Sequence, residues 1–71
     1  MNKKEFLLEI QDIMLLDEIN ETTEIEVDSM ASLLLIAFLD VEFSILIDQE
    51  QIKSIKSVSN IIELIGDENF K

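Results

Sequence analysis

Residues 28–43 read DSMASLLLIAFLDVEF, and this segment carries the strongest structural signal in the chain. Asp28 or Ser29 is a good helix N-cap, because a short side-chain oxygen can accept a hydrogen bond from a free amide of the first turn. The residues that follow are mostly good helix formers, and Asp40 and Glu42 are the only charged residues among them. The segment predicts a helix over residues 29–43 with an unusually wide apolar surface.

A second helix is predicted before this segment, over residues 3–16. Phe6, Ile10 and Ile13 recur at spacings of four and three residues, and the acidic residues lie off that stripe. Residues 17–27 lack this period and are rich in capping and β-branched residues. We expect them to form an ordered loop with three apolar anchors in the core: Ile19, Ile25 and Val27.

The C-terminal part predicts one clear helix and one short one. Over residues 57–65, an apolar stripe of helical period follows Ser57 as the cap, and Gly66 is well placed to end the helix. A short helix over residues 49–54 is signalled more weakly, and residues 67–71 are expected to be frayed. The sum is an all-α fold, a small three- to four-helix bundle that forms a single domain over residues 1–71. The predicted core comprises Phe6, Ile10, Ile13, Leu35, Leu39, Phe43, Ile47, Ile55, Val58, Ile62 and Ile65.

The composition limits what can hold this small domain together. The chain has 71 residues and contains no Cys and no His, so neither a disulfide nor a soft metal site can stabilise it. The core must come from apolar packing, near the lower size limit for an independent domain. The acidic loop does not match a calcium-binding loop, because Thr22 stands where that loop requires Gly. No metal is expected.

The charge balance indicates the kind of partner. The chain carries 16 acidic residues against 5 Lys, for a formal net charge of −11. Such a surface repels nucleic acid and anionic membranes and attracts basic protein surfaces. The apolar stretch after Lys3 and Lys4 is too short for a secretory signal, and the longest apolar run, Leu33–Leu39, is too short to cross a bilayer. We expect a cytoplasmic monomer without membrane insertion.

An enzyme is not expected from these residues. Without His, Cys or Tyr, the usual general bases and nucleophiles are missing. The remaining carboxylates could do acid–base chemistry in principle. A chain of this length leaves little room for a pocket that excludes water.

The Asp28-Ser29 pair is the first part of a longer sequence pattern that extends to Ile65. Taken alone, Asp28-Ser29 is most simply a helix cap. It is followed by a helix that ends in Glu-Phe, an apolar connector, an acidic turn and a last apolar helix. From Asp28 to Ile65 this order and spacing resembles the acyl carrier protein family without a gap. Free-standing members read Asp-Ser-Leu-Ala, Ile-Ala and Glu-Phe, and the matching letters here are DSMA at 28–31, IA at 36–37 and EF at 42–43.

The chain departs from the family pattern at several points. Met30 replaces the usual Leu, which conserves volume. No Gly precedes Asp28 in the loop, and Ser44 stands where Gly often follows the Phe. The loop before the motif is also shorter than in carrier proteins of general fatty acid synthesis. The first helix matches in kind but not by motif.

The resemblance implies a site and a set of partners. Ser29 would be the attachment site for 4′-phosphopantetheine, added from coenzyme A by a phosphopantetheinyl transferase. Asp28 would help to present Ser29, and Met30 would pack beside the arm. Acyl groups would then travel as thioesters between acyl-transferring or synthase enzymes that have basic or apolar docking patches.

The second helix also predicts where such partners dock. In the family its exposed face is typically acidic, whereas here Leu34, Phe38 and Val41 are expected to be exposed. This favours a dedicated fatty-acid or specialised biosynthetic pathway. The apolar surplus could equally be core or dimer interface, and Phe38 could pack in the core or line an acyl cavity with Phe43. The predicted docking face consists of Leu34, Ala37, Asp40 and Val41.

An alternative from another class remains open at this point. An unmodified acidic helical module could occupy a basic site on a partner, as an inhibitor or a nucleic-acid mimic. The net charge of −11 suits that role. It does not explain why the Asp-Ser pair, the Glu-Phe pair and the last helix fall where they do.

Overall fold

A computed structural model describes residues 1–71 as four α-helices followed by one short 3₁₀ helix. The elements are α1 (Lys3–Met14), α2 (Ser29–Phe43), α3 (Gln49–Lys53), α4 (Val58–Ile65) and the 3₁₀ helix Asp67–Asn69. The chain forms no β-strands, so the predicted all-α fold, a small helical bundle, is confirmed. No helix has both the length and the apolar character that a membrane span needs.

Helix α2 begins and ends at the predicted residues. Asp28 is the N-cap: its carboxylate accepts a hydrogen bond from the Ala31 amide at 2.7 Å, and its carbonyl accepts from the Ser32 amide at 2.9 Å. At the other end, Ser44 adopts a left-handed conformation with φ 56° and stops the helix. The local cap therefore fixes the position of Ser29 as the first residue of α2.

Helix α1 ends at Met14, two residues before the predicted end. Leu15 turns into the left-handed region at φ 56°, and the Leu16 amide donates to the Gln11 carbonyl at 3.0 Å. The Gln11 side chain holds this turn by donating to the carbonyls of Leu16 and Asp17, both at 3.1 Å. A left-handed backbone costs a residue with a Cβ atom about 1–2 kcal/mol. Leu15 therefore occupies a strained position.

The two C-terminal helices have clear caps. In α3, Asp48 and Gln51 form reciprocal side-chain to backbone hydrogen bonds at 2.8 and 3.1 Å, which satisfy the first amides of a very short helix. Ser57 caps α4, as predicted, and Gly66 ends it at φ 88°. A residue with a Cβ atom would be strained at Gly66.

The core is a single cluster of twelve buried apolar residues. Nine of the predicted core residues belong to it. Ile13 and Phe43 are half-buried and pack against its edge. The cluster comprises Phe6, Ile10, Ile25, Leu35, Leu39, Ile47, Ile52, Ile55, Val58, Ile61, Ile62 and Ile65.

The loop between α1 and α2 is ordered, as predicted. The Ile25 amide donates to the Lys56 carbonyl, and the Val58 amide donates to the Thr23 carbonyl, both at 2.9 Å. These bonds join the loop to the start of α4. Among the three predicted anchors, Ile25 is buried, and Ile19 and Val27 are half-buried against the core.

The C-terminal residues are structured, so the expectation that residues 67–71 are frayed is wrong. The Asn69 side chain donates to the Ile65 carbonyl at 2.6 Å, and the Lys71 amide donates to the Met1 carbonyl at 3.1 Å. The Phe70 ring lies 5.2 Å from the Phe6 ring, centroid to centroid. Contacts with α1 therefore hold the end of the chain in place.

All four phenylalanines form one group, which we call the Phe cluster: Phe6, Phe38, Phe43 and Phe70. Their contacting ring centroids lie 5.2–6.3 Å apart, within the range of favourable aromatic pairs. The expectation that Phe38 is exposed is wrong, since it is half-buried between Phe6 and Phe43. No ring of the cluster lines a cleft. The Phe cluster is a packing element of the structure.

Candidate functional site

Ser29 stands at the surface as the first residue of α2. Its side chain is exposed, and the hydrogen bonds around it use the Asp28 carboxylate and the Ser29 carbonyl, which accepts from the Ser32 hydroxyl at 2.8 Å. No hydrogen bond to protein uses the Ser29 hydroxyl. The Asp28 cap and the Ser32 bond therefore fix the backbone and leave Ser29 Oγ free to react.

The start of α2 favours a negative group on Ser29. The amides of Ser29 and Met30 precede the first intrahelical hydrogen bond, which joins the Ser32 amide to the Asp28 carbonyl. The first turn contains no acidic residue, although the Asp28 carboxylate lies beside it. The positive end of a helix dipole stabilises an anion by about 0.3–1 kcal/mol. A phosphate ester on Ser29 Oγ would lie in this favourable field.

The other five serines offer a less suitable hydroxyl. Ser32 is buried. Ser44 is exposed, but it follows the C-terminus of α2, where the helix dipole disfavours an anion. The remaining hydroxyls take part in hydrogen bonds within the protein: Ser54, Ser57 and Ser59. Ser29 alone combines exposure, a free hydroxyl and a helix N-terminus.

A cleft of about 240 Å³ lies beside Ser29, between the first half of α2 and helix α3. Ser29 and Leu33 line it from α2, and Ile52 and Lys53 line it from α3. Lys53 is its only cationic residue. This α2–α3 cleft therefore joins a free hydroxyl, an apolar wall, the positive charge of Lys53 and the negative charge of Asp28.

Met30 points to a different side of α2 from Ser29. Its side chain is 72% exposed and lines a groove next to α1, whereas the α2–α3 cleft contains Asp28 and Ser29 but not Met30. The sequence places the three predicted site residues together. The structure brings only Asp28 and Ser29 to the cleft.

The four predicted docking residues lie along an exposed side of α2. Leu34 and Val41 are 47% and 78% exposed, and Ala37 and Asp40 are also exposed. Spacings of three and four residues place them on one face of a helix. We call this the α2 docking face.

Two exposed residues beside the site escaped the sequence reading. Leu33 is exposed at the mouth of the α2–α3 cleft, and Lys53 faces it from α3. The exposure of Leu33 has no sequence signal, because apolar residues surround the whole of α2. Lys53 is marked only as a basic residue in the last turn of α3.

The structure contains no group of three acidic side chains that could hold a metal ion. Comparison of the chain with protein-family models, with curated proteins and with solved structures finds no match. The geometry of the site and the resemblance in the sequence are therefore the basis for a functional proposal.

Proposed function

We propose that this protein is an acyl carrier protein with 4′-phosphopantetheine attached through a phosphodiester to Ser29. The observation that carries the proposal is the free, exposed hydroxyl of Ser29 at the start of α2. Asp28 caps the same helix, and the Asp-Ser pair begins the spacing pattern that resembles the family. The free hydroxyl in the structure and the resemblance in the sequence therefore both point to Ser29.

The residues around Ser29 fit this group. Ser29 supplies an unhindered ester oxygen, and the free amides of the first turn suit a phosphate. Lys53 adds a positive charge on the opposite side of the cleft. When bound, the arm supplies the thiol that this Cys-free chain lacks, so that acyl groups are held as thioesters.

The role of the chain itself is to present Ser29 to the modifying enzyme and to position the attached arm. The Asp28 cap holds the first turn of α2, so that Ser29 stays at the surface for a separate phosphopantetheinyl transferase. With no His or Cys in the chain, acyl transfer is the work of partner enzymes. A tethered cargo raises the effective concentration at each partner without tight binding. The protein is a carrier and not an enzyme.

Partner enzymes dock on the α2 docking face in this proposal. Leu34, Ala37 and Val41 present apolar surface, and Asp40 adds a negative charge for a basic patch. A partly apolar face favours a dedicated fatty-acid or specialised biosynthetic pathway with its own enzymes. We place this carrier in the cytoplasm as a monomer.

The test is intact-protein mass spectrometry after incubation with coenzyme A, Mg²⁺ and a broad-specificity phosphopantetheinyl transferase. We expect a gain of one phosphopantetheine, mapped by fragmentation to Ser29. The variant Ser29→Ala should gain nothing and keep the helical circular dichroism of the wild type. The matched control Ser44→Ala removes the exposed serine at the other end of α2 and should be modified normally.

Two results would contradict the proposal. One is incorporation that persists in Ser29→Ala. The other is no incorporation into the folded wild type while a control carrier protein is modified in the same tube. The second result would favour the unmodified acidic module, for which the net charge of −11 is the supporting observation.

A further inference from the structure

An apolar groove separates the end of α1 from the start of α2, on a different side of α2 from the α2–α3 cleft. It has a volume of about 220 Å³, and six of its nine lining residues are apolar. Residues 30, 31 and 34 line it from α2, whereas residues 29, 32 and 33 line the α2–α3 cleft. We call it the α1–α2 groove, and its apolar residues are Ile13, Met14, Leu15, Met30, Ala31 and Leu34.

The charge around the α1–α2 groove has one sign. Asp12, Glu26 and Asp28 line it, and no basic residue does. The last turn of α1 contains no basic residue either, so the negative end of its helix dipole is not neutralised there. An apolar surface inside an acidic rim is complementary to an apolar side chain flanked by positive charges.

Leu15 is an unusual residue for its place in this groove. It ends α1 in the left-handed conformation, where Gly or Asn is the common choice, and its side chain is 89% exposed. A Leu at this position neither relaxes the backbone nor packs into the core. Its apolar side chain instead extends the apolar surface of the groove towards solvent.

We propose that the α1–α2 groove binds a basic amphipathic segment of a partner protein. An apolar side chain of that segment lies between Leu15 and Met30, and its Lys or Arg residues face Asp12, Glu26 and Asp28. A second copy of this chain is a poor occupant, because it brings a charge of −11 against an acidic rim. The groove does not include Ser29, so the inference is drawn for the unmodified protein and does not rest on the proposed function.

The test measures binding of a labelled Leu–Lys peptide to the unmodified full-length protein by fluorescence anisotropy. The peptide spans roughly four helical turns, with Leu at helical spacing on one face and Lys on the other. We expect saturable binding, and Leu15→Gly should weaken it about tenfold or more. Leu15→Gly relaxes the left-handed backbone, so the variant should fold at least as well as the wild type.

The matched control is Ser44→Gly, which makes the same backbone change at the other left-handed helix end, outside the groove. Its peptide affinity should stay within about twofold of the wild type. Equal binding to Leu15→Gly and to the wild type would overturn the inference. So would equal binding of a peptide with every Leu replaced by Ser, because charge alone would then explain the binding. Self-association of the protein that Leu15→Gly abolishes would assign the groove to a second copy and overturn it as well.

Discussion

The two ends of helix α2 differ in what surrounds them. At its C-terminal end, the Phe cluster brings together α1, α2 and the last residues of the chain. At its N-terminal end, about 20 Å away, Ser29 stands free between the α2–α3 cleft and the α1–α2 groove. One end is closed by aromatic packing, and the other is open on two sides.

This difference shows how so small a chain can combine stability with an accessible site. The aromatic contacts at the closed end do not involve the exposed side chains of the open end. Substitutions at the Phe cluster should therefore change the free energy of unfolding. Substitutions at exposed residues of the open end should change modification or binding and leave the fold intact, apart from the Asp28 cap, which contributes to both.

The largest effect is expected from Phe6→Ala at the closed end. Phe6 is completely buried and contacts the other three phenylalanine rings. Its loss should cost about 3–5 kcal/mol, much of the unfolding free energy of a domain of this size. Urea unfolding followed by circular dichroism measures the change.

The control Leu8→Ala alters an exposed residue of the same helix and should stay within about 0.5 kcal/mol of the wild type. A loss below 1 kcal/mol for Phe6→Ala would show that the Phe cluster is not the main support.

A medium effect is expected from Asp28→Ala at the open end. Removing the carboxylate that accepts from the Ala31 amide should destabilise the protein by about 1 kcal/mol. Asp28→Asn keeps a capping oxygen and should unfold at nearly the same urea concentration as the wild type. Modification of Ser29 should slow in Asp28→Ala because the first turn of α2 frays. Equal unfolding midpoints for Asp28→Ala and the wild type would mean that the cap does not hold this end.

The smallest effect is expected from Lys3, which joins α1 to the loop and to the C-terminal segment. Its ammonium lies 2.9 Å from the Asp67 carboxylate and 3.6 Å from the Glu21 carboxylate. The hydrogen bond to Asp67 raises the pKa of Lys3 above its usual 10.5. Desolvation of the ammonium opposes this rise, and the charges of Asp67 and Glu21 support it.

Because the folded state holds this proton more tightly than the unfolded state, the stabilisation is fully present below pH 10.5. It is lost as the pH rises through the raised pKa. Melting temperatures measured from pH 9 to pH 12 should therefore fall more steeply for the wild type than for Lys3→Met. Parallel curves for the two proteins would show that the ion pairs of Lys3 do not stabilise the fold.

The sequence predicted α2 and most of the core because their signals are local. A capping Asp followed by helix formers fixes the start of α2, and helical spacing identifies the buried residues of α1 and α4. The sequence did not predict the burial of Phe38, because the pattern of a helix that is apolar on every side does not show which face is buried. It failed for Phe70, whose contact with Phe6 joins opposite ends of the chain. It extended α1 past Met14 because Leu15 and Leu16 are themselves good helix formers.

The candidate site also has one part that local sequence predicts and another that depends on the packing of the helices. Asp28 and Ser29 were predicted from a local signal, and the structure has Asp28 as the N-cap of α2 and Ser29 as its first residue. The α2–α3 cleft and the α1–α2 groove depend on how α2 packs against its neighbours, which no single segment encodes. The positions of Lys53 and Leu15 beside these clefts are therefore visible only once the helices are assembled.

The initial rate of phosphopantetheine incorporation, measured by intact mass below the melting temperature, shows whether Ser29 is the attachment site and whether the closed end affects it. The comparison needs three proteins: wild type, Ser29→Ala at the open end and Phe70→Ala at the closed end. We expect equal rates for the wild type and folded Phe70→Ala, and no incorporation into Ser29→Ala. Incorporation into Ser29→Ala, or none into the folded wild type beside a working control carrier, would contradict it.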